Sequence, residues 1–228
     1  MKNIASITTL TLVAAAAMAD AAPAAAPASA WTQSGNLAIT SNYIWRGVSQ
    51  TTNGIALQGG YDVAHTSGLS AGIWASNVNQ QAPQANNLEL DLYANYGFKV
   101  AGVDLSVGYI AYSYQGQSDL NFEEVNLAAT YAGVTAKVSK GISSAKEYYY
   151  ELGYTYSIPA VKGLDLGLHY GWATTDTSNT NEDYSVALSY PVAGFGATVA
   201  YSNTPGTPAL GTPVINGGLY SLTLKKTF

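Results

Sequence analysis

The sequence contains no cysteine. That excludes disulfide bridges, thiolate metal centres and the acylated cysteine that anchors bacterial lipoproteins. Charge is scarce as well. Asp, Glu, Lys and Arg make up 10% of the 228 residues, against about a quarter in soluble domains. The formal net charge is -5, so the clustered bases that neutralise phosphates are missing and nucleic acid is not an expected partner. With two histidines there is no metal-ligand spacing. Nor is there a paired nucleophile and base, or a glycine-rich phosphate loop. The chain therefore reads as neither an enzyme nor a cofactor protein. After the N-terminus no run approaches the roughly 20 apolar residues of a spanning helix.

What is present makes the absences informative. Hydrophobic residues reach 47%, yet the mean hydropathy is only +0.05. Low charge with middling hydropathy fits alternation, one residue toward lipid and the next toward water. Tyrosine, at 18 residues, dominates the aromatics. Its apolar ring and polar tip suit strands and membrane interfaces.

The first 19 residues read as an export signal. Lys2 gives the positive start, residues 4–18 the apolar stretch, and Ala17-Met18-Ala19 a small-x-small cleavage site before Asp20. Ala28-Ser29-Ala30 is a second such site. Residues 20–35, rich in Ala and Pro, read as a flexible lead, and 36–228 as the folded part.

From Asn36 onward about twelve segments alternate with period two, each near the 9–11 residues of a tilted spanning strand. In 88–98, Leu88, Leu90, Leu92, Ala94, Tyr96 and Phe98 fall on one face. Glu89, Asp91, Tyr93, Asn95 and Gly97 fall on the other. A helix would scatter those acids; a strand sorts them. Connections alternate between short turns, such as Ala132-Gly133, and mostly longer polar loops, with the first, 50–54, expected to be brief. Outward aromatics gather at the segment ends. Tyr43, Trp45, Tyr148, Tyr170 and Tyr220 lie on the loop side, and Tyr61, Tyr96, Tyr131, Tyr190 and Phe195 on the turn side. Two such girdles mark membrane barrels. The expected fold is all-β: a transmembrane antiparallel up-and-down barrel of about twelve strands preceded by a signal peptide. A tyrosine-rich soluble sandwich is the competing reading.

Terminal Phe228, with Leu224, Leu222 and Tyr220 at alternating positions, resembles the C-terminal signal that the barrel assembly machinery reads. Lys226 departs from that pattern. The stretch Ser41-Asn42-Tyr43-Ile44-Trp45-Arg46-Gly47-Val48-Ser49-Gln50-Thr51 resembles the first-strand signature of the TorF-like porin family. That resemblance implies a bacterial outer-membrane barrel and brings no catalytic residues.

Charged side chains belong in the lumen, because the lipid face penalises them by about 2–4 kcal/mol at mid-depth for Arg and Lys, less for acids. The expected lining comprises Arg46, Glu89, Asp91, Tyr93, Tyr112, Glu124, Lys137, Tyr149, Glu151 and His169. Glu89, Asp91 and Glu151 are expected to face Arg46 across a constriction. Twelve strands give a cylinder about 24 Å across and a passage on the order of 10 Å at most. The expected function is passive diffusion of small hydrophilic solutes or ions through the outer membrane, mildly favouring cations. Outer-membrane lipids and the assembly machinery are the expected partners. The alternatives are a lumen filled by paired charges, and a non-conducting structural or adhesive barrel. The acidic run 176–183 superficially suggests calcium. It lacks the glycine of an EF-hand loop and reads as a solvated surface loop.

Overall fold

The computed structural model describes residues 29–79, 87–143, 147–174, 180–205 and 218–228. The expected export signal and most of the Ala/Pro-rich lead lie outside these residues. The strands in chain order are β1 (Trp31–Thr40), β2 (Ile44–Trp45), β3 (Val48–Ser49), β4 (Ala56–His65), β5 (Leu69–Val78), β6 (Asn87–Val100), β7 (Val103–Tyr114), β8 (Phe122–Tyr131), β9 (Val134–Gly141), β10 (Tyr148–Ser157), β11 (Asp165–Thr174), β12 (Thr180–Val192), β13 (Phe195–Asn203) and β14 (Leu219–Thr227). Apart from the short β2–β3 pair, each strand bonds antiparallel to its sequence neighbour. β1 closes the ring by pairing β14 on one side and β4 on the other. The result is a closed barrel of twelve strands. Among the described residues no helix is long and apolar enough to cross a membrane.

The period-two pattern dictates which way each side chain points. On β6, Leu92 stands opposite Ile73 of β5 and Ala111 of β7. Its neighbour Asp91 stands opposite Trp74 and Tyr112. Rows of apolar residues thus run round the outside, and rows of polar and aromatic residues round the inside. Leu92, Leu127 and Val199 are 52%, 50% and 56% exposed, whereas Asp91, Glu89 and Glu124 are 0%, 2% and 3% exposed. This inverts a water-soluble fold, where buried acids are rare and broad apolar surfaces rarer. A barrel with a lipid-facing belt has this distribution.

Three hairpins on one rim use the same two-residue turn. Ala101-Gly102, Ala132-Gly133 and Ala193-Gly194 all have positive φ at both positions, between 48° and 85°. That is the signature of the turn whose twist matches a right-handed β-ribbon. Glycine adopts it freely, while alanine is strained there. Closure at the same rim is completed by Phe228, whose amide donates to the Gly35 carbonyl at 2.9 Å. Lys226, the departure from the terminal pattern, is accommodated because its ammonium bends back to the Gly194 carbonyl at 2.9 Å.

The structure differs from the sequence reading at three places. β1 begins at Trp31, five residues before the expected boundary at 36, because 31–35 continue the pairing with 61–65 of β4. The chain leaves the barrel wall after Thr40, so 41–55 form the first loop-side connection, longer than the brief one expected. Tyr43 and Trp45 are therefore not outward girdle residues; Tyr43 is buried. Finally, Thr180–Asp183 of the acidic run belong to β12, with Asp183 buried rather than solvated. The rest of that run, 176–179, lies outside the described residues.

Candidate lumen constriction

Residues 41–55 turn inward instead of looping out. β2 and β3 pair Ile44 with Ser49 and Trp45 with Val48. The tight turn between them is made by Arg46 and Gly47, at φ 47° and 76°. The base of this hairpin is tied by polar groups. The Gln50 amide donates to the Tyr43 carbonyl at 2.6 Å, the Ser49 hydroxyl to Asn42 Oδ1 at 2.6 Å, and the Thr51 hydroxyl to the Gly54 carbonyl at 2.6 Å. Apolar contacts seat it against the wall. Tyr43 meets Trp74 of β5 edge-on at 5.4 Å, and Trp45 meets Tyr112 of β7 at 5.9 Å.

The hairpin tip reaches the far side. The Arg46 guanidinium forms a bidentate pair with Glu124 of β8, Nη1 to Oε1 at 2.8 Å and Nη2 to Oε2 at 2.9 Å. Its Nη1 also lies 3.9 Å from Glu147, just before β10. The guanidinium sits 4.0 Å from the centre of the Tyr149 ring and 4.4 Å from that of Trp45. Planar stacking with fork-shaped bonding is what arginine offers and lysine does not. The Thr204 hydroxyl, beyond β13, donates to the Gly47 carbonyl at 2.9 Å. A Cβ on Gly47 would run into Thr204 and Asp183, so the residue type is set by this close approach. Starting between β1 and β4, the hairpin thus touches β7, β8 and β10 and the end of β13.

Two polar clusters flank the tip. Tyr149 donates to Asp183 Oδ2 at 2.6 Å, and His169 Nε2 lies 3.0 Å from Asp183 Oδ1 and 3.2 Å from the tyrosine hydroxyl. Lys137 pairs with Glu151 at 2.8 Å. On the other wall Tyr114 donates to Glu89 Oε1 at 3.1 Å, and Tyr93 to Asp62 at 2.6 Å. Outside the strands, burial pushes the Glu147 carboxyl above its ordinary value, with Arg46 opposing the shift.

Of the ten sequence-expected lining residues, the structure joins Arg46, Glu124, Tyr112, Tyr149 and His169 by direct contacts, pairs Lys137 with Glu151, and sets Glu89, Asp91 and Tyr93 at alternate positions of β6, which is not the expected arrangement. Arg46 forms its ion pairs with Glu124 and Glu147 rather than with the expected Glu89, Asp91 and Glu151, the last of which pairs with Lys137. The sequence reading put Arg46 on the first strand, whereas the hairpin carries it across to β8. Glu147, Asp183 and Tyr43 were missed as inner residues. Asp183 was legible, since it precedes outward Tyr184 and so continues the inward parity of β12. Tyr43 and Glu147 lie off the strands, where parity is no guide to direction and, for Tyr43, pointed the wrong way. Among the described residues no group of three His, Cys, Asp or Glu side chains is arranged to hold a metal ion.

A closed twelve-stranded antiparallel barrel, apolar outside and polar within, with an inward hairpin, is a barrel of the porin fold. The structure of the KdgM porin superposes with a TM-score of 0.61 at 11% identity, covering 86% of this chain and 99% of that one. A second KdgM structure, in complex with disordered oligogalacturonate, gives 0.59 at 11% identity, covering 86% and 98%. The chain belongs to the Gcw_chp family, described as bacterial protein of unknown function, which matches residues 24–228. No functionally curated protein matches it.

Proposed function

We propose that this protein is an outer-membrane channel through which small hydrophilic solutes or ions diffuse passively, with a mild preference for cations. The observation that carries the reading is the inverted distribution of residues: an apolar belt outside, and acids, tyrosines and few bases inside. Such a wall needs lipid on one side and water on the other. Bacteria that export a barrel of this kind place it in the outer membrane, and the resemblance of 41–51 to the TorF-like porin signature supports that location.

The hairpin divides the lumen, so the path is much narrower than the empty cylinder. The preference for cations follows from the excess of inner acids, Glu89, Asp91, Glu124, Glu151 and Asp183, over Arg46 and Lys137, because a ring of one sign selects by charge. KdgM has been captured with oligogalacturonate, a polyanion. An acid-rich interior argues for neutral or cationic solutes here. Liposome swelling with sugars of graded size, together with reversal potentials in a KCl gradient, tests both parts. Swelling by small neutral sugars and a cation-selective potential are expected; clear anion selectivity would overturn the charge assignment.

A non-conducting barrel is favoured by one specific observation. Arg46 and Lys137 are each paired with an acid, and Glu89, Asp91 and Glu124 are nearly sealed from solvent. The two readings part on conductance.

A further inference from the structure

Glu89 and Asp91 stand two residues apart on β6 and therefore share its inner face. Both are buried. Neither oxygen of Asp91 has a hydrogen-bond partner, nor does Oε2 of Glu89, so three carboxylate oxygens are left unsatisfied in one place; the buried Tyr43 hydroxyl of the hairpin also lacks a partner. Nearby bases do not compensate them. Arg46 is engaged by Glu124 and Lys137 by Glu151. Buried carboxylates in native proteins are paired, protonated or bound to a metal.

The surroundings supply further oxygens and a seal. Ser76 of β5 lies opposite Glu89; its hydroxyl donates to the Asn77 carbonyl at 3.1 Å, which leaves its lone pairs free to bind a cation. Tyr114 of β7 holds Glu89 Oε1 at 3.1 Å. Trp74 and Tyr112 stand opposite Asp91 on either side, and Tyr43 of the hairpin packs on Trp74. The donors are all oxygen, with no imidazole or thiolate among them.

We propose that Glu89 and Asp91 bind a hard divalent cation of the calcium class in the wall of the lumen, beneath the hairpin. Two carboxylates match its charge, and hydroxyl and water oxygens complete a shell that calcium accepts and zinc does not. The site does not depend on the barrel conducting.

The test uses the full mature barrel folded in detergent free of lipopolysaccharide, with terbium as a luminescent probe excited through Tyr and Trp. Sensitised emission that calcium displaces is expected, together with a rise in thermal stability on adding calcium. Asp91→Asn and Glu89→Gln should each weaken terbium binding by roughly tenfold or more and abolish the calcium-dependent thermal shift. Asp104→Asn, at the turn rim, serves as the control and should change neither. If both lumenal variants bind terbium like the parent, the ion sits elsewhere and the proposal fails. If the folded parent shows no emission and no calcium shift, the acids are a protonated pair and the proposal fails too. Should one variant not fold, the other carries the same comparison.

Discussion

Replacing Arg46 by alanine should both destabilise the barrel and widen its path. The guanidinium makes two charge-assisted bonds to Glu124, at 2.8 and 2.9 Å, with side-chain exposures of 12% and 3%. Removing one partner of a buried pair leaves the other charge uncompensated, which costs about 3–5 kcal/mol. Glu147 at 3.9 Å does not compensate, since it too is an acid. The loss of stacking on Tyr149 and Trp45 adds to the cost by about 0.5–2 kcal/mol for each ring. The cost should be read from urea unfolding of the barrel in lipid vesicles, alongside Glu124→Gln and the double variant. Arg46→Ala with Glu124→Gln removes the buried Glu124 charge and leaves only Glu147, 3.9 Å from the guanidinium and 22% exposed, without its base, so it should recover about half or more of the loss. In planar bilayers the freed hairpin tip should raise the conductance of Arg46→Ala above that of the parent. Arg46→Ala within about 0.5 kcal/mol of the parent, with unchanged conductance, would refute the idea that this arginine holds the hairpin across the lumen.

Further expectations come from other parts of the barrel. Ala132→Asn should stabilise by up to about 1 kcal/mol, because asparagine tolerates the left-handed turn that alanine strains into; a rise in the temperature at which the folded band is lost on electrophoresis checks it. Gly171→Ala should destabilise by about 1–3 kcal/mol, since its new Cβ would collide with the Tyr149 hydroxyl, and the same electrophoretic shift reads the loss. Burial raises the Glu147 carboxyl, so the folded barrel binds that proton more tightly than the unfolded chain. Its contribution to stability should accordingly be greatest below its unfolded pKa and weaken as pH rises through the folded value. Glu147→Gln should flatten that slope in pH-dependent urea unfolding.

The barrel wall was legible because a strand sorts residues by parity alone. Leu88 to Phe98 shows this directly: its even positions lie outside and its odd positions inside, as alternation requires. The Ala132-Gly133 turn was equally plain, since two small residues between alternating runs leave little room for anything but a tight hairpin. The constriction was not legible in the same way. Between Thr40 and Ala56 the chain keeps some strand-like alternation, and parity placed Tyr43 and Trp45 outward. Their true orientation depends on the hairpin folding back into the lumen, a choice made by distant partners: Trp74, Tyr112, Glu124 and Thr204. Residue types at Glu89, Asp91 and Lys137 declared an inner position, because lipid would reject them. They did not declare which charge would meet which, since across a closed barrel that depends on stagger and on the hairpin, not on local spacing.

Single-channel recording from the purified, folded protein in a planar bilayer tests the channel most directly. Discrete, reproducible current steps that grow when Arg46 is removed are expected. Bilayers that stay silent with both the parent and the Arg46 variant, while electrophoresis confirms folded barrels, would contradict it.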